Sequence, residues 1–424
     1  MSTKPTKKQL EFMSWEFGMF FHFGIRCFFP GHSDWDGVPM PASKFNPTQL
    51  DCNQWVRIAK KAGAKYAVLV CKHHDGFANW PSKYSEYSVA QSPWKDGKGD
   101  VVDEFVKACR SCDMRVGFYY SPAQWGGNVK FTDGTDYDDY FINQISELLT
   151  NYGKIDYLWF DGNGSGDHKY DKVRIINAIR ALQPEIMIFE MWDNAADTRW
   201  IDNEDGYANM PNNNVVNRFP LGAPEGTAKE PMFMPAECDV CMRSQWFDCW
   251  ENTDTIKSLG ELMGIYDYSV GRGANLLLNI GPDRRGLLPE PDVKRLLEFG
   301  DEIRRCYGTP LRFFDAVKEE EENKWSVTAD RSVFEAEAHS CGKLLVDTVI
   351  IEEDITDGQS IEEFRIYADL PVYKRQRCVY VGYTVGHKAI CHFPAFRTGK
   401  LTLEVLKANG EVKIKSIKAF YTGR

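Results

Sequence analysis

The amino-acid sequence holds no run of about 18 uncharged apolar residues, so nothing in it reads as a membrane-spanning helix and no membrane partner is expected. Its first residues, MSTKPTKKQLEF, carry lysines but lack the apolar core of an export leader. The expected location is therefore cytoplasmic, or periplasmic or secreted if a leader once preceded the sequence. Positive charge is in deficit, 51 Lys and Arg against 61 Asp and Glu for a net charge of -10, and the basic residues form no dense cluster. Without a broad positive field, nucleic acid is not an expected partner. No GxGxxG follows the early hydrophobic runs, which argues against a dinucleotide cofactor, and no HxH or HxxxH spacing offers a metal centre. No cofactor or metal is expected. Internal repeats and low-complexity tracts are also missing, and the oligomeric state is not readable.

Cysteine, by contrast, is plentiful. Two CxxC pairs occur among the 12 cysteines and raise a zinc reading. Cys109 and Cys112 fall in DVVDEFVKACRSCD, which has the pattern of an amphipathic helix, and Cys238 and Cys241 fall in AECDVCMR with no matching histidine. The cysteines read instead as reduced, small core residues of a reducing compartment. Aromatic residues are abundant too, with 12 Trp, 19 Tyr and 26 Phe. Rings on this scale fill a large core, and they also stack on sugars and other half-apolar ligands.

A chain of 424 residues suggests a large domain and a smaller one, and 43% apolar content is enough for a sizeable core. In the first 300 residues, short apolar runs alternate with segments of helical period. MFFHFG, YAVLVCK, RVGFYYS, IDYLWFD, IMIFEM and NLLLNI read as strands; 51–63, 100–113, 137–152, 170–182 and 289–306 read as helices, the first opened by Asp51 as N-cap. Nearly continuous apolar strands separated by helices point to a (β/α)8-like TIM barrel over residues 1–312. From 313 to 424 the texture becomes short alternating strands, SVFEAEA through IKAFYT, and implies a C-terminal antiparallel β-sandwich. The Asn-, Pro- and Gly-rich region 206–232 reads as a long loop or insertion.

In a barrel, the reacting groups stand where strands end. His22 follows MFF; His73, His74 and Asp75 follow YAVLVCK; Tyr119 and Tyr120 end RVGFYY; Asp161 follows IDYLWF. Neutral imidazoles and phenols both donate and accept hydrogen bonds, so this set suits a neutral, hydroxyl-rich ligand. Asp161 is either a turn residue in FDGN or a carboxylate aimed into the mouth, with Gly162 leaving the space beside it open. Asp75 either orients an imidazole or caps the turn before Gly76. Cleaving a glycosidic bond would require a second carboxylate, for which Glu204 and Glu237 are candidates.

The blocks FHFG, KHHDGFANWPSKY, VGFYYS, LWFDG and NLLLNIGPDRRGLLP, in this order, resemble glycoside hydrolase family 29, the retaining α-L-fucosidases. The resemblance covers essentially the first 310 residues and implies a (β/α)8-like barrel followed by a β-sandwich. It implies Asp161 as nucleophile, and His22, His73, His74 and Tyr119 as contacts to the fucose hydroxyls. Asp34 and Trp35 match the acidic-Trp pair of the loop after the first strand, although the family more often has Glu at the first position. TRWIDNEDG resembles RW-x-x-NE-x-G of the branch selective for α-1,3/1,4-linked fucose and implies Glu204 as acid/base. PAECDVCMRSQWF resembles a second block of that branch, implying Glu237 and Trp246 as pocket or subsite residues, with Glu237 in reserve as acid/base.

The implied partner is a fucosylated oligosaccharide or glycoconjugate. Fucose lacks a hydroxyl at carbon 6, so an apolar wall is needed for its methyl, with Phe77 and Trp246 as candidates. Two other readings stand beside this one: a glycan-binding protein that keeps the cup without the reaction, and a metal-dependent hydrolase using the histidines and Asp161.

Overall fold

The computed structural model describes residues 3–32, 38–125, 134–162, 168–189, 196–217, 230–249, 251–319, 323–330, 343–370 and 375–424. Helix α1 (Lys7–Met13) opens the chain, held at its start by a capping box between Thr6 and Gln9. Strand β1 (Phe17–Phe21) follows, then α2 (Cys52–Ala62), β2 (Tyr66–Lys72), α3 (Val101–Ser111), β3 (Arg115–Tyr120), α4 (Gly134–Asn151), β4 (Tyr157–Phe160), α5 (Lys172–Leu182) and β5 (Met187–Ile188). The next elements are β6 (Arg199–Trp200), the short antiparallel pair β7 (Val215–Val216) and β8 (Met232–Phe233), β9 (Ala236–Cys241), α6 (Leu259–Ser269), β10 (Asn275–Asn279) and α7 (Glu290–Tyr307).

Eight of these strands form one parallel sheet in the order β5-β4-β3-β2-β1-β10-β9-β6, which is chain order around a curled, TIM-like barrel. The two ends of the sheet meet where Asp197 and Thr198 donate their backbone N–H groups to the Ile188 carbonyl, at 2.8 and 3.3 Å. The strands are buried along their length because helices cover the outside and large side chains fill the inside, which is why they read as continuous apolar runs. As expected, Asp51 caps α2 by accepting the Gln54 N–H at 3.0 Å, and Gly63 ends that helix at a φ of 108°. Helices α1 and α6 were not anticipated.

At the base of the barrel, Phe12 and Trp15 at the end of α1 pack their rings against Tyr157 and Tyr66, at 5.2 and 5.3 Å between centroids. Gly18 makes room for the Tyr66 ring: a Cβ there would lie 2.4 Å from it. The base is thereby closed with aromatic rings, and the C-terminal ends of the strands form the open mouth.

Beyond α7, antiparallel strands build two sheets around a second apolar core that includes Val327, Val346, Phe364 and Leu403. One sheet has the order β11-β12-β17-β14-β15 and the other β16-β13-β18, from β11 (Val317–Lys318), β12 (Lys324–Thr328), β13 (Leu344–Glu353), β14 (Ile361–Leu370), β15 (Arg375–Gly382), β16 (Ala389–Thr398), β17 (Lys400–Ala408) and β18 (Ile414–Phe420). These sheets fit the sandwich expectation; the expected strand SVFEAEA and residues 218–229 of the expected loop lie outside the described residues. Polar contacts tie this part to the barrel. Lys388 and His387 meet Glu16, and Asp267 of α6 pairs with Arg424 at 2.8 Å and has His392 Nε2 at 3.2 Å.

Candidate active site

The mouth is assembled from the residues that follow strands. His22, one residue past β1, has Nδ1 2.8 Å from Oδ1 of Asn279, the last residue of β10. Asn279 donates its amide to the Trp246 carbonyl at 2.7 Å, so its oxygen is the atom left to accept from His22. That bond puts a proton on Nδ1 of His22, and in the neutral ring Nε2 is then an acceptor.

His73 and His74 follow β2 with ring centroids 4.2 Å apart. His73 lies flat on Tyr119, at 5.5 Å and 13°, and meets Phe247 edge-on at 5.0 Å. His74 is fixed by Ser121, whose Oγ is 2.5 Å from Nδ1, and its Nε2 is 3.7 Å from Oδ2 of Asp161. Asp75 is buried and accepts the Phe77 N–H at 2.7 Å, so it caps the turn that Gly76 completes at a φ of 85°. Its charge also offsets burial at Lys72, whose ammonium lies inside the protein with its pKa lowered to about 7, chiefly by desolvation.

Asp161 follows β4. The Tyr119 hydroxyl donates to its Oδ2 at 2.9 Å, and its side chain keeps 21% of its surface open. Among the described residues, a Cβ at Gly162 would meet nothing within 4 Å. The aspartate therefore has both a hydroxyl donating to it and an accessible side chain.

Glu204 sits on the turn after β6. Asn203 braces that turn by donating to the Ile201 and Tyr207 carbonyls and accepting the Asp205 N–H. Asp202 and Gly206 on either side adopt φ of 69° and 80°, a left-handed conformation that aspartate and glycine tolerate. Trp246 donates its indole N–H to Glu204 at 3.2 Å while its ring lies 4.9 Å from that of His22. Glu204 is exposed at the rim yet crowded by protein. Its carboxyl is raised above the ordinary value, first by desolvation and then by the charge of Asp161, with the Trp246 hydrogen bond opposing. The two carboxylates are thus close enough to feel one another.

The structure brings together His22, His73, His74, Tyr119, Asp161, Glu204 and Trp246. It does not bring Glu237 to this group. Glu237 is the second residue of β9, fully buried toward the barrel base, with Oε2 accepting from Tyr66 and Oε1 from Tyr157 and Trp159. Phe77 is also away from the mouth, buried between Phe45 and Tyr87. Asp34 and Trp35 lie outside the described residues.

Sequence reading missed Asn279, Ser121 and Phe247, which orient the histidines, and Trp125, which is 40% exposed with its ring 4.5 Å from His74. Asn279, Ser121 and Phe247 each lie in a block recognised in the sequence, NLLLNI, VGFYYS and PAECDVCMRSQWF, but no role was read for them there; Trp125 left no trace. Among the described residues, no group of three His, Cys, Asp or Glu side chains is arranged to hold a metal ion, and no helix is long and apolar enough to cross a membrane.

A parallel barrel with an open carboxylate, a second carboxyl of raised pKa and a cup of imidazole and phenol groups at its mouth has the layout of the sugar-processing barrels. Residues 2–306 match the family described as Alpha-L-fucosidase. Alpha-L-fucosidase 1 of Arabidopsis thaliana is 38% identical over 309 residues, covering 70% of this chain and 60% of the plant protein. Plasma alpha-L-fucosidase of Homo sapiens is 27% identical over 304 residues, covering 62% of this chain and 55% of the human protein. The crystal structure of a glycoside hydrolase 29 family member from an unknown rumen bacterium superposes with a TM-score of 0.86 at 30% identity, covering 99% of this chain and 77% of that one. The chain belongs to the α-L-fucosidase family, glycoside hydrolase family 29. It spans about 60% of the length of the Arabidopsis relative.

Proposed function

We propose that this chain is an exo-acting, retaining α-L-fucosidase that removes terminal α-linked fucose from oligosaccharides or glycoconjugates, with Asp161 as nucleophile and Glu204 as acid/base. The observation that carries the reading is the pairing at the mouth: Asp161 held by Tyr119 at 2.9 Å, and Glu204 raised in pKa partly by the charge of Asp161. In the first step Asp161 attacks the anomeric carbon as Glu204 gives its proton to the departing glycosidic oxygen. In the second, Glu204, now ionised, takes a proton from water, which releases fucose from Asp161. The pKa shift has the sign this cycle needs. The Asp161 charge pushes the Glu204 pKa upward, which favours the acid form, and that pressure is lost once Asp161 is esterified.

His22, His73 and His74 serve as hydrogen-bonding partners for the fucose hydroxyls, and Trp246 as the ring that joins the acid/base to the sugar cup. Preference for α-1,3/1,4 linkages is part of the proposal. It is supported by the RWIDNEDG turn that presents Glu204 and by the nearby Trp246 of the PAECDVCMRSQWF block. The test is a product assay on oligosaccharides with α-1,2, α-1,3, α-1,4 and α-1,6 fucose side by side, with NMR of the first-formed anomer. Release of α-fucose first, from the 1,3 and 1,4 substrates, is the expected result. First-formed β-fucose would overturn retention, and dominant cleavage of 1,2 or 1,6 bonds would overturn the linkage preference.

A further inference from the structure

A buried carboxylate that touches neither cation nor solvent needs a reason to be inside a barrel, since burial penalises it heavily. Glu237 is 0% exposed, and among the described residues the three hydrogen bonds it receives all come from neutral groups: Tyr66 Oη at 2.5 Å, Tyr157 Oη at 2.9 Å and Trp159 Nε1 at 3.0 Å. Two of these donors belong to the aromatic plug at the barrel base. The third leads toward the mouth. The Trp159 ring is stacked between Phe189, at 4.1 Å and 9°, and Tyr119, at 5.4 Å and 26°. Tyr119 in turn donates to Asp161.

We propose that Glu237 is a positioning residue: by anchoring the Trp159 indole from below, it holds the Tyr119 ring at the angle that keeps its hydroxyl on Asp161. The proposal rests on the reading of Asp161 as the nucleophile. An indole clamped by stacking alone could still slide in its own plane; an acceptor on its N–H removes that freedom. A single Oε1 oxygen receives both Tyr157 and Trp159, so the indole is registered against the closed base of the barrel and not against a mobile loop. Glutamine can do the same with its carbonyl oxygen, because Tyr66 has a second acceptor, the Leu276 carbonyl at 3.5 Å, to turn to. Leucine has the size but no acceptor.

The experiment compares Glu237→Leu, Glu237→Gln, Tyr119→Phe and the double variant Glu237→Leu/Tyr119→Phe on an aryl α-L-fucoside, with kcat, KM and the thermal unfolding midpoint measured for each. Glu237→Leu should lower kcat by roughly 10- to 100-fold with KM changed less than about threefold, and Glu237→Gln should recover most of that loss. The double variant should be no worse than about the more damaging single change, because both act through one hydroxyl. Wild-type kcat in a folded Glu237→Leu, or additive losses in the double variant, would overturn the proposal and leave Glu237 a packing residue. Azide rescue of Glu237→Ala would overturn it differently, by making Glu237 the acid/base. Should Glu237→Leu fail to fold, Trp159→Phe with and without Tyr119→Phe is judged by the same criterion of non-additivity. If Asp161→Ala remains active, the nucleophile reading falls as well. An inactive Asp161→Ala beside a fully active Glu237→Leu sinks only the positioning role.

Discussion

The indole N–H of Trp246 reaches the Glu204 carboxylate at 3.2 Å, joining two residues that belong to different barrel strands' loops. The bond favours the ionised form of Glu204 and opposes the burial and the Asp161 charge that raise its pKa. Trp246→Phe keeps a ring over His22 and deletes only this restraint. The Glu204 pKa should then rise further, so the alkaline limb of the kcat/KM profile moves to higher pH, by up to about one unit. An alkaline limb that stays in place or moves to lower pH would contradict the assignment of Glu204 as the acid.

The two carboxylates should separate kinetically. Asp161→Ala should reduce turnover by about 10⁴-fold or more on every substrate, since no covalent intermediate can form. Glu204→Ala should retain activity on fucosides with a good leaving group, and azide should increase its rate there by giving a nucleophile that needs no general base. If Glu237→Ala shows that azide response in place of Glu204→Ala, the roles must be exchanged. Product analysis for fucosyl azide makes the distinction direct.

Glu237 should also mark the pH dependence of stability. Burial pushes its pKa up to about 7, against three hydrogen bonds that lower it. The folded protein thus holds this proton more tightly than the unfolded chain. Its stabilising contribution is complete below an ordinary glutamate pKa of about 4.3 and is lost as pH rises toward 7. At about 1.4 kcal/mol per pH unit, the loss is on the order of 3 kcal/mol. Glu353 in the sandwich is raised to about 7 as well, also by burial, and acts in the same direction. Urea unfolding between pH 4.5 and 7.5 should show stability falling with pH, and Glu237→Gln should flatten that slope. An unchanged slope would mean that Glu237 does not release its proton in this range.

The junction between barrel and sandwich offers a stability test away from the mouth. Asp267 is 6% exposed and accepts from Tyr307 at 2.6 Å and Arg424 at 2.8 Å, with His392 Nε2 at 3.2 Å. Asp267→Ala strips these groups of a shared acceptor and should lower stability by about 2–4 kcal/mol with little change in KM. A loss below about 0.5 kcal/mol would show that the cluster does not hold the two parts together.

How much of this was legible in sequence differs from strand to strand. β2 and β10 are uninterrupted apolar runs because helices and core cover both faces, and both coincide with YAVLVCK and the start of NLLLNI. β9, with the sequence AECDVC, is just as buried but was not read as a strand, because Glu237 and Asp239 carry the charge pattern of a loop. Their carboxylates can be inside only because Tyr66, Tyr157, Trp159 and Trp200, on other strands, supply donors. α6 was missed for the opposite reason. Leu262, Met263, Ile265, Tyr266, Asp267 and Ser269 are all buried, so the helix has no wide polar stripe to give it a period.

Sequence alone determined most of the alternation of strand and helix, the Asp51 cap that opens α2, and the rule that His22, His73, His74, Tyr119 and Asp161 stand at or just after strand ends at one mouth. Each is a local property: apolar runs, capping residues, and position just after a strand. Depth and pairing were decided only by the tertiary structure. Glu204 and Glu237 are both glutamates within or just beyond short barrel strands, yet one stands at the rim beside Trp246 and the other lies sealed beneath Trp159. Which end of its strand a residue occupies, and which rings from distant strands close over it, depends on how eight strands are staggered around the barrel. That stagger follows from packing among residues far apart in the chain, and no single segment carries it.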